Sequence, residues 1–259
     1  MMTIKSLFAL TTLALATSSL FAQSALKGKF ALVERGVLST GQEFVALGTI
    51  SIDAQGHASG SEFLRGSAGA ADLALDGTYR GADNSLALTY STANAGGDAV
   101  PVAMNYRIVG SGDAMHAIRT DVGVVSDAQM IAIAPANTPL KGQFILNESS
   151  VESAGQSFVS LTTLNFDGGQ AHGRATRKNF GPEAQYEIAG TYTAGVDGAG
   201  TLQLQAPSQT SSQNADGDIT TVTAYATSTY RFVEINAKQL VAVRADPGVV
   251  TSVEFSAAQ

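Results

Sequence analysis

Two pairs of oppositely charged residues are the candidates for chemistry in this sequence. Glu34 and Arg119 form one pair, and Glu148 and Arg244 form the other. Each Glu follows a Phe-x-Leu at strand spacing, so its side chain shares the face of those apolar residues. Each Arg continues a similar apolar alternation. A carboxylate and a guanidinium that meet on an apolar face form an ion pair, which either fixes the packing or anchors a charged ligand.

The other polar residues form no pattern that indicates catalysis or metal binding. His57, His116 and His172 lack His-x-His or His-x-x-x-His spacing, whereas a zinc site needs converging ligands. Asp216-Gly-Asp218 lacks the full spacing of a calcium loop. No Gly-x-Ser-x-Gly elbow for a serine nucleophile occurs. We therefore predict a non-enzymatic protein with no catalytic residues, no metal and no cofactor.

The elements that must position the charged pairs occur twice along the chain. Leu26-Lys-Gly-x-Phe30 returns as Leu140-Lys-Gly-x-Phe144, and Gly77-Thr-Tyr79 returns as Gly190-Thr-Tyr192. The other repeated motifs are 41–47 with 155–161, Tyr106-Arg107 with Tyr230-Arg231, and 119–125 with 244–250. A duplication of this length predicts two domains of the same architecture. We place them at residues 23–134 and 140–259, joined by a linker at 135–139 that two prolines stiffen.

Each copy breaks into short alternating runs separated by turn residues, which is typical of antiparallel sheet. The predicted strands of the first copy are 28–38, 42–53, 57–66, 71–80, 85–92, 99–109, 114–120 and 125–133. Those of the second copy are 142–152, 156–166, 170–179, 184–193, 200–206, 219–235, 238–245 and 249–257. Hairpin-length connections favour two all-β, up-and-down barrels of eight strands each, because closure removes the edge strands. A pair of β-sandwiches is the alternative.

The alternation also predicts which side chains fill each barrel. The inward set of the first copy is Phe30, Leu32, Phe44, Ile50, Leu73, Leu75, Tyr79, Leu86, Leu88, Val102, Met104 and Tyr106. The inward set of the second copy is Phe144, Leu146, Phe158, Leu164, Tyr186, Ile188, Tyr192, Leu202, Leu204 and Tyr230. An eight-stranded barrel has an interior that side chains just fill, or that holds one small ligand.

Closure also predicts where the charged pairs lie. The first strand of a closed barrel pairs with the eighth and lies near the seventh, so Glu34 should meet Arg119 and Glu148 should meet Arg244 inside the lumen. Three interpretations stay open: a structural salt bridge that fixes register, a pair that anchors a ligand, and exposure to solvent.

Two further segments carry predictions of their own. Arg119-x-Asp121-x-Gly and Arg244-x-Asp246-x-Gly predict a shared turn in which the Asp side chain caps its own turn. The copies differ most at 205–220, where the second is longer and rich in Ser, Thr and Gln. We predict a polar loop there.

Residues 1–22 have the pattern of an export signal. Lys5 precedes an apolar run over 7–16, and small residues lead to Ala22, after which we predict cleavage. The chain has no Cys and a net charge of -7, with no cluster of Lys or Arg. We therefore predict a secreted or periplasmic bacterial protein that binds no nucleic acid and has no transmembrane helix once the signal is removed.

The order of motifs carries a resemblance. Leu-x-Gly-x-Phe, a strand ending in Asp-x-x-Gly, and Gly-Thr-Tyr followed by Leu-x-Leu resemble secreted bacterial tandem β-repeat proteins of unknown function. The strand count is similar to calycin-type barrels such as lipocalins, although the Gly-x-Trp of their first strand is missing. The motifs are turn and core residues, so the resemblance implies a fold and no site.

The sequence therefore predicts an exported tandem-barrel protein that acts by binding or as a surface or matrix component. One rival is a carrier with a small apolar ligand in its lumen, which requires a cavity of roughly 300 Å³ or more. The other rival is an outer-membrane barrel of sixteen strands, which requires apolar residues on the outside. The candidate partners are thus a small apolar ligand or another surface.

Overall fold

The fold is described from a computed structural model of the chain. The described residues are 26–67, 69–93, 98–134, 140–151, 157–180, 183–195, 197–213 and 219–258. The predicted signal at 1–22, the linker at 135–139, and Asp216-Gly-Asp218 lie outside these ranges. Within them, no helix is long and apolar enough to cross a membrane.

The first copy is a closed antiparallel barrel of eight strands. The strands are β1 (Gly28–Leu38), β2 (Glu43–Ile52), β3 (His57–Gly66), β4 (Gly69–Arg80), β5 (Ser85–Ala93), β6 (Ala99–Val109), β7 (Ala114–Arg119) and β8 (Val124–Ala132). Each strand pairs with its neighbours in sequence, and β1 closes the sheet by pairing with β8 from Phe30↔Ala132 to Leu38↔Val124. The predicted up-and-down barrel is confirmed, and the sandwich alternative is wrong.

The second copy repeats this topology. Its strands are β9 (Gly142–Val151), β10 (Ser157–Asp167), β11 (Gln170–Lys178), β12 (Ala184–Ala194), β13 (Ala199–Gln213), β14 (Ile219–Asn236), β15 (Gln239–Arg244) and β16 (Ser252–Ala257). Closure is again between first and last strand, from Glu254↔Asn147 to Ala257↔Phe144. The sixteen strands therefore close into two barrels, whereas the outer-membrane alternative required one.

Two repeated glycines let adjacent strands approach closely. A Cβ on Gly77 would lie 2.0 Å from the carbonyl oxygen of Ala87, and one on Gly190 would lie 1.9 Å from that of Gln203. No side chain fits at such distances, so glycine is required in both copies of the Gly-Thr-Tyr motif. The motif therefore recurs where the fourth strand of each barrel lies very close to its fifth.

Apolar side chains fill both lumens, as the alternation predicts. The first cluster joins Phe30, Leu32, Ile50, Leu75, Leu86, Leu88, Met104, Tyr106, Met115 and Met130. The second joins Phe144, Leu146, Leu164, Phe166, Ile188, Leu202, Leu204, Tyr230, Phe232 and Phe255. Phe144, Phe166 and Tyr192 stack edge to face, with ring centroids 5.4 and 5.1 Å apart. Each lumen is thus a packed core along most of its length.

A third cluster joins the outer faces of the two barrels. Ala31, Val45, Leu47, Phe63 and Ile131 of the first barrel are buried against Val233, Ile235, Val241 and Val243 of the second. At the edge of this cluster Arg231 forms a 3.0 Å ion pair with Asp72 and lies 5.2 Å over the ring of Phe63. We expected two prolines to stiffen the linker, which lies outside the described residues, and in the described residues this packed interface joins the barrels.

The largest difference from prediction lies at 205–220. Residues 206–213 and 219–220 of the predicted loop instead continue β13 and β14, paired from Ala206↔Ala226 to Gln213↔Ile219, and 214–218 lie outside the described residues. Beyond Gln205, β13 pairs with β14 alone, so this hairpin is a two-stranded ribbon outside the barrel sheet. The polar composition of this segment led to the loop prediction. A polar segment can nevertheless form a strand, because Thr favours strands and the backbone groups are paired across the hairpin. We call residues 206–213 and 219–226 the ribbon.

Candidate functional site

The first predicted pair meets inside the first barrel. Glu34 on β1 is 1% exposed, and its Oε1 lies 3.6 Å from Nη1 of Arg119 at the end of β7. The hydroxyl of Tyr106 on β6 donates a 2.7 Å hydrogen bond to Oε2 of Glu34. Burial, with the charge of Glu34, raises the pKa of Tyr106 well above its usual value. The phenol therefore stays protonated and acts as a fixed donor.

The second pair repeats the arrangement with a closer contact between the two charged groups. Nη1 of Arg244 donates to Oε1 of Glu148 at 3.1 Å, and the Tyr230 hydroxyl donates to Oε2 at 3.0 Å. Nη2 of Arg244 also donates to the hydroxyl of Ser228 at 2.9 Å. The solvent-exposed interpretation is therefore wrong for both pairs. We call the end of each barrel that holds its pair the charged end.

The repeated Asp of the predicted turn has a different role from the one expected. Oδ2 of Asp121 accepts from Nε of Arg119 at 2.7 Å and from the backbone N–H of Asn105 at 3.0 Å. Asp246 likewise accepts from Nε of Arg244 and from the backbone N–H of Thr229. The Asp thus fastens the arginine to the neighbouring strand rather than capping its own turn. The sequence reasoning missed these contacts because Asn105 lies 16 residues from Asp121, and Thr229 lies 17 residues from Asp246.

Glu62 is a buried acid in the first barrel that the sequence reasoning did not single out. It lies on β3 with 2% of its surface exposed, and its Oε1 has no hydrogen-bond partner. Burial, followed by repulsion from Glu34, raises its pKa from 4.5 to about 8, although Arg119 lowers it. The charged end of the first barrel therefore holds a neutral carboxylic acid at neutral pH. The sequence did contain a signal for this burial, because Glu62 continues the alternation of Ala58 and Gly60 on the inward face of β3.

At three lumen positions of its charged end, the second barrel has a smaller side chain than the first, whereas Gly48 is replaced by the larger Thr162. The pair Gly48↔Glu62 corresponds to Thr162↔Ala175. Similarly, Tyr90↔Val102 corresponds to Ala206↔Ala226, and Leu88↔Met104 corresponds to Leu204↔Ser228. Glutamate, tyrosine and methionine in the first barrel thus become alanine, alanine and serine in the second.

These replacements coincide with a cavity at the charged end of the second barrel. Its volume is about 40 Å³, and its lining includes Glu148, Phe158, Ser160, Thr162, Ala175, Arg177, Tyr186, Ala206, Ser228 and Arg244. It lies below the roughly 300 Å³ expected of a pocket for an apolar carrier ligand. Larger openings, such as a groove of about 1200 Å³ between the barrels, lie outside the lumens. We call the 40 Å³ space the second-barrel cavity.

Arg177 brings a second cation to this cavity. Its Cζ lies 4.0 Å from the ring centroid of Phe158, and Arg244 lies 5.8 Å from the same ring. Arg177 pairs across the sheet with Ser160, which is buried, so both side chains are on the lumen side. The corresponding pair of the first barrel is Ala46↔Leu64. The sequence reasoning missed Arg177 because its difference from Leu64 appears only when the two barrels are aligned by strand register.

The three histidines lie apart on the barrel exteriors. Nε2 of His57 contacts Asp76 at 3.0 Å, Nδ1 of His116 lies 3.8 Å from Asp127, and Nε2 of His172 lies 3.4 Å from Asn165. Within the described ranges, no group of three or more His, Asp or Glu side chains is arranged to hold a metal ion.

No protein-family model matches this chain, and no curated protein matches it.

Proposed function

We propose that this chain is an exported, non-enzymatic binding protein in which the first barrel is a scaffold and the second carries a small-ligand site. The observation that carries the proposal is the contrast between equivalent lumen positions. Glu62, Tyr90 and Met104 occupy the charged end of the first barrel, whereas the smaller Ala175, Ala206 and Ser228 line the second-barrel cavity. In this proposal the packed first barrel contributes stability, and the second barrel, which has a cavity at the same end, contributes binding.

The charged groups at this cavity support binding rather than chemistry. Arg244 donates to Asp246, Glu148 and Ser228, so each of its nitrogens has an acceptor. Burial and the charge of Glu148 raise the pKa of Tyr230 well above its usual value. A general base must titrate near the working pH, and a phenol held protonated does not.

The cavity also favours a polar ligand over the apolar one that a carrier would hold. Ser160, Thr162 and Ser228 contribute hydroxyls to the lining, and Arg177 and Arg244 contribute guanidinium groups. Apolar ligands gain affinity from burying their surface, and a space of about 40 Å³ buries very little. A polar group held by directed hydrogen bonds suits such a space better.

The export part of the proposal rests on the signal pattern at 1–22. Expression of the full chain in a bacterial host should yield a cell-envelope or medium fraction whose mature protein starts at Gln23, by intact mass. It should be released by buffer without detergent. A protein that keeps residue 1 and stays in the cytoplasm contradicts this part.

The binding part is tested by refilling the cavity with the first barrel's own residues. A thermal-shift screen of small polar compounds should find at least one that raises the Tm of the mature protein. Ala206→Tyr with Ser228→Met should abolish that shift, because these side chains occupy the same positions in the first barrel. Thr227→Met is the matched control, since Thr227 is exposed and next to Ser228 on β14. Ligand shifts that survive refilling would contradict the proposal.

A further inference from the structure

We infer that the ribbon of the second barrel pairs edge to edge with the ribbon of a second copy of this chain, so that the protein forms a two-fold symmetric dimer. The pairing edge is the side of β14 that faces away from β13 over residues 219–228, and we call it the β14 edge. This inference goes beyond the proposed function and does not depend on the second-barrel cavity. It uses three features: the unpaired backbone of the edge, its composition, and its contrast with the first barrel.

The β14 edge has no neighbouring strand in the part of the chain that the structure describes. β14 pairs with β13 along the whole ribbon, but its pairing with β15 starts only at Tyr230↔Arg244. No other described strand pairs with β14. A row of backbone N–H and C=O groups without a partner strand is a template to which another strand can add. A ribbon of two strands is only marginally stable, so added strands would also stabilise it.

The backbone contacts of Thr229 show which residues of the edge can pair. Its N–H donates to Asp246 at 2.9 Å and its C=O accepts from the N–H of Ala245 at 2.7 Å, so both groups point away from β13. These directions alternate along a strand, and the register of β13 with β14 has no shift here. The odd-numbered residues of the β14 edge therefore point their backbone groups outward. They are Ile219, Thr221, Thr223, Tyr225 and Thr227.

The composition of the β14 edge favours strand pairing. Seven of its ten residues are β-branched or aromatic, and none is charged, proline or glycine. The β13 side of the ribbon, 206–213, has one β-branched residue and contains Pro207. Natural edge strands are protected from pairing by charges and proline, and the β14 edge has neither. The chain has a net charge of -7, so copies repel each other in general, but this edge brings no like charges together.

The first barrel has a proline on the corresponding edge. β6 is equivalent to β14, and its Pro101 occupies the position of Tyr225. The N–H of Asn105 donates to Asp121 and its C=O accepts from the N–H of Thr120, so the backbone of Asn105 points away from β5. By the same alternation Pro101 lies at an outward position, where it has no N–H to donate. The second barrel has a donor at this position, and Tyr225 is 69% exposed.

Antiparallel pairing of two β14 edges determines the register of the dimer. Facing residues that exchange hydrogen bonds must both point outward, so the pairing that uses all five outward residues places Thr223 opposite Thr223 of the second copy. Thr221 then faces Tyr225 of the second copy, and Ile219 faces Thr227 of the second copy. The five facing pairs exchange about ten backbone hydrogen bonds. The same residues serve on both sides, so the assembly closes after two copies.

Analytical ultracentrifugation of the mature protein over a concentration series tests the dimer. We expect a reversible equilibrium between monomer and dimer. Tyr225→Pro, which copies Pro101 of the first barrel, should raise the dimer dissociation constant about tenfold or more, because it removes a backbone donor from the edge. Tyr225→Val keeps the N–H and is the matched control, so it should dimerise like the wild type. A monomer mass at every concentration, an assembly larger than a dimer, or a dimer that persists in Tyr225→Pro overturns the inference.

The register is tested by cross-linking, because the chain has no Cys of its own. Thr223→Cys should form a disulfide-linked dimer under mild oxidation, since the Cα atoms of such a facing pair lie about 5.5 Å apart, within disulfide range. Thr227→Cys on the same edge is the control. In this register its two copies lie roughly 26 Å apart along the strands, so it should stay monomeric. Equal cross-linking at the two positions, or none at Thr223→Cys, overturns the inference and leaves the cavity-refilling test unaffected.

Discussion

At the scale of single residues, Glu62 gives the first barrel a dependence on pH. The unfolded chain releases this proton near the usual pKa of 4.5, whereas the folded barrel holds it up to about 8. Between these values the folded state binds more protons than the unfolded state, so the free energy of unfolding falls as pH rises. Above about pH 8 the loss is complete, because both states are then ionised.

We therefore expect Glu62→Gln to flatten this dependence. The variant should be more stable than the wild type at pH 9 by a few kcal/mol, on the order given by the pKa shift. At pH 4 the two proteins should differ little from this cause. Urea denaturation at several pH values measures the effect, and the exposed Glu43→Gln is the control. A wild-type slope between pH 5 and 8 that persists in Glu62→Gln would contradict it.

The buried Glu–Arg pairs also act at the scale of single residues, and we expect removal of one partner to lower the free energy of unfolding. Arg119→Ala leaves Glu34 and Asp121 without their cation, and we expect a loss of about 3 kcal/mol of unfolding free energy. Arg244→Ala should cost more, because its contact with Glu148 is shorter and it also holds Ser228.

The triple variant Glu34→Leu, Arg119→Met and Tyr106→Phe serves as the control, since it removes the buried network together with the hydroxyl that donates to Glu34, and replacing a buried pair by apolar groups is often neutral. Urea midpoints of the three variants give the answer. If Arg119→Ala melts like the wild type, the buried pair is not structural in the first barrel.

At the scale of elements, the strand glycines decide whether the sheets can close. A methyl group on Gly77 or Gly190 would lie about 2 Å from a backbone carbonyl oxygen of the adjacent strand, which cannot move without breaking the ladder. Gly66 on β3 is different, because its nearest neighbour to an added Cβ is 3.7 Å away.

We expect Gly77→Ala and Gly190→Ala each to lower the free energy of unfolding by about 4 kcal/mol, which is a large loss for a single substitution. Gly66→Ala should change stability by about 1 kcal/mol or less. Chemical denaturation measures all three, and near-ultraviolet circular dichroism reports the loss of aromatic packing. Equal effects at the three sites would show that strand proximity is not the reason for the repeated motif.

At the scale of the whole molecule, the outer-face cluster couples the barrels. Val45 and Val243 are both fully buried, although each points out of its own barrel. An interface of this kind predicts that the two barrels unfold in one cooperative transition, despite being separate closed sheets.

Val243→Asp should separate that transition into two in differential scanning calorimetry, because a charge cannot be buried there unpaired. Val159→Asp is the control, since Val159 also points out of the second barrel but is 52% exposed, so a charge there stays in solvent. Two transitions already present in the wild type would contradict the coupling.

Much of this architecture was predictable from the sequence, and the reasons are local. The strand period, the turn residues and the repeated motifs specify sixteen short strands, and alternation identifies the inward faces of residues such as Phe30 and Tyr230. The Glu–Arg contacts followed from closure of an up-and-down sheet. The ribbon was missed because its polarity resembles a loop, while its pairing is a property of two strands together.

The sequence by itself determined the fold class, the duplication and the meeting of each Glu with its Arg, because these depend on period and order along the chain. Only the tertiary structure decided which equivalent positions face each other across neighbouring strands. That geometry shows Glu62, Tyr90 and Met104 at the charged end of one lumen, while the smaller Ala175, Ala206 and Ser228 line the cavity of the other. It also brings Arg177 over Phe158, since a contact between strands depends on register, which single-chain spacing does not contain.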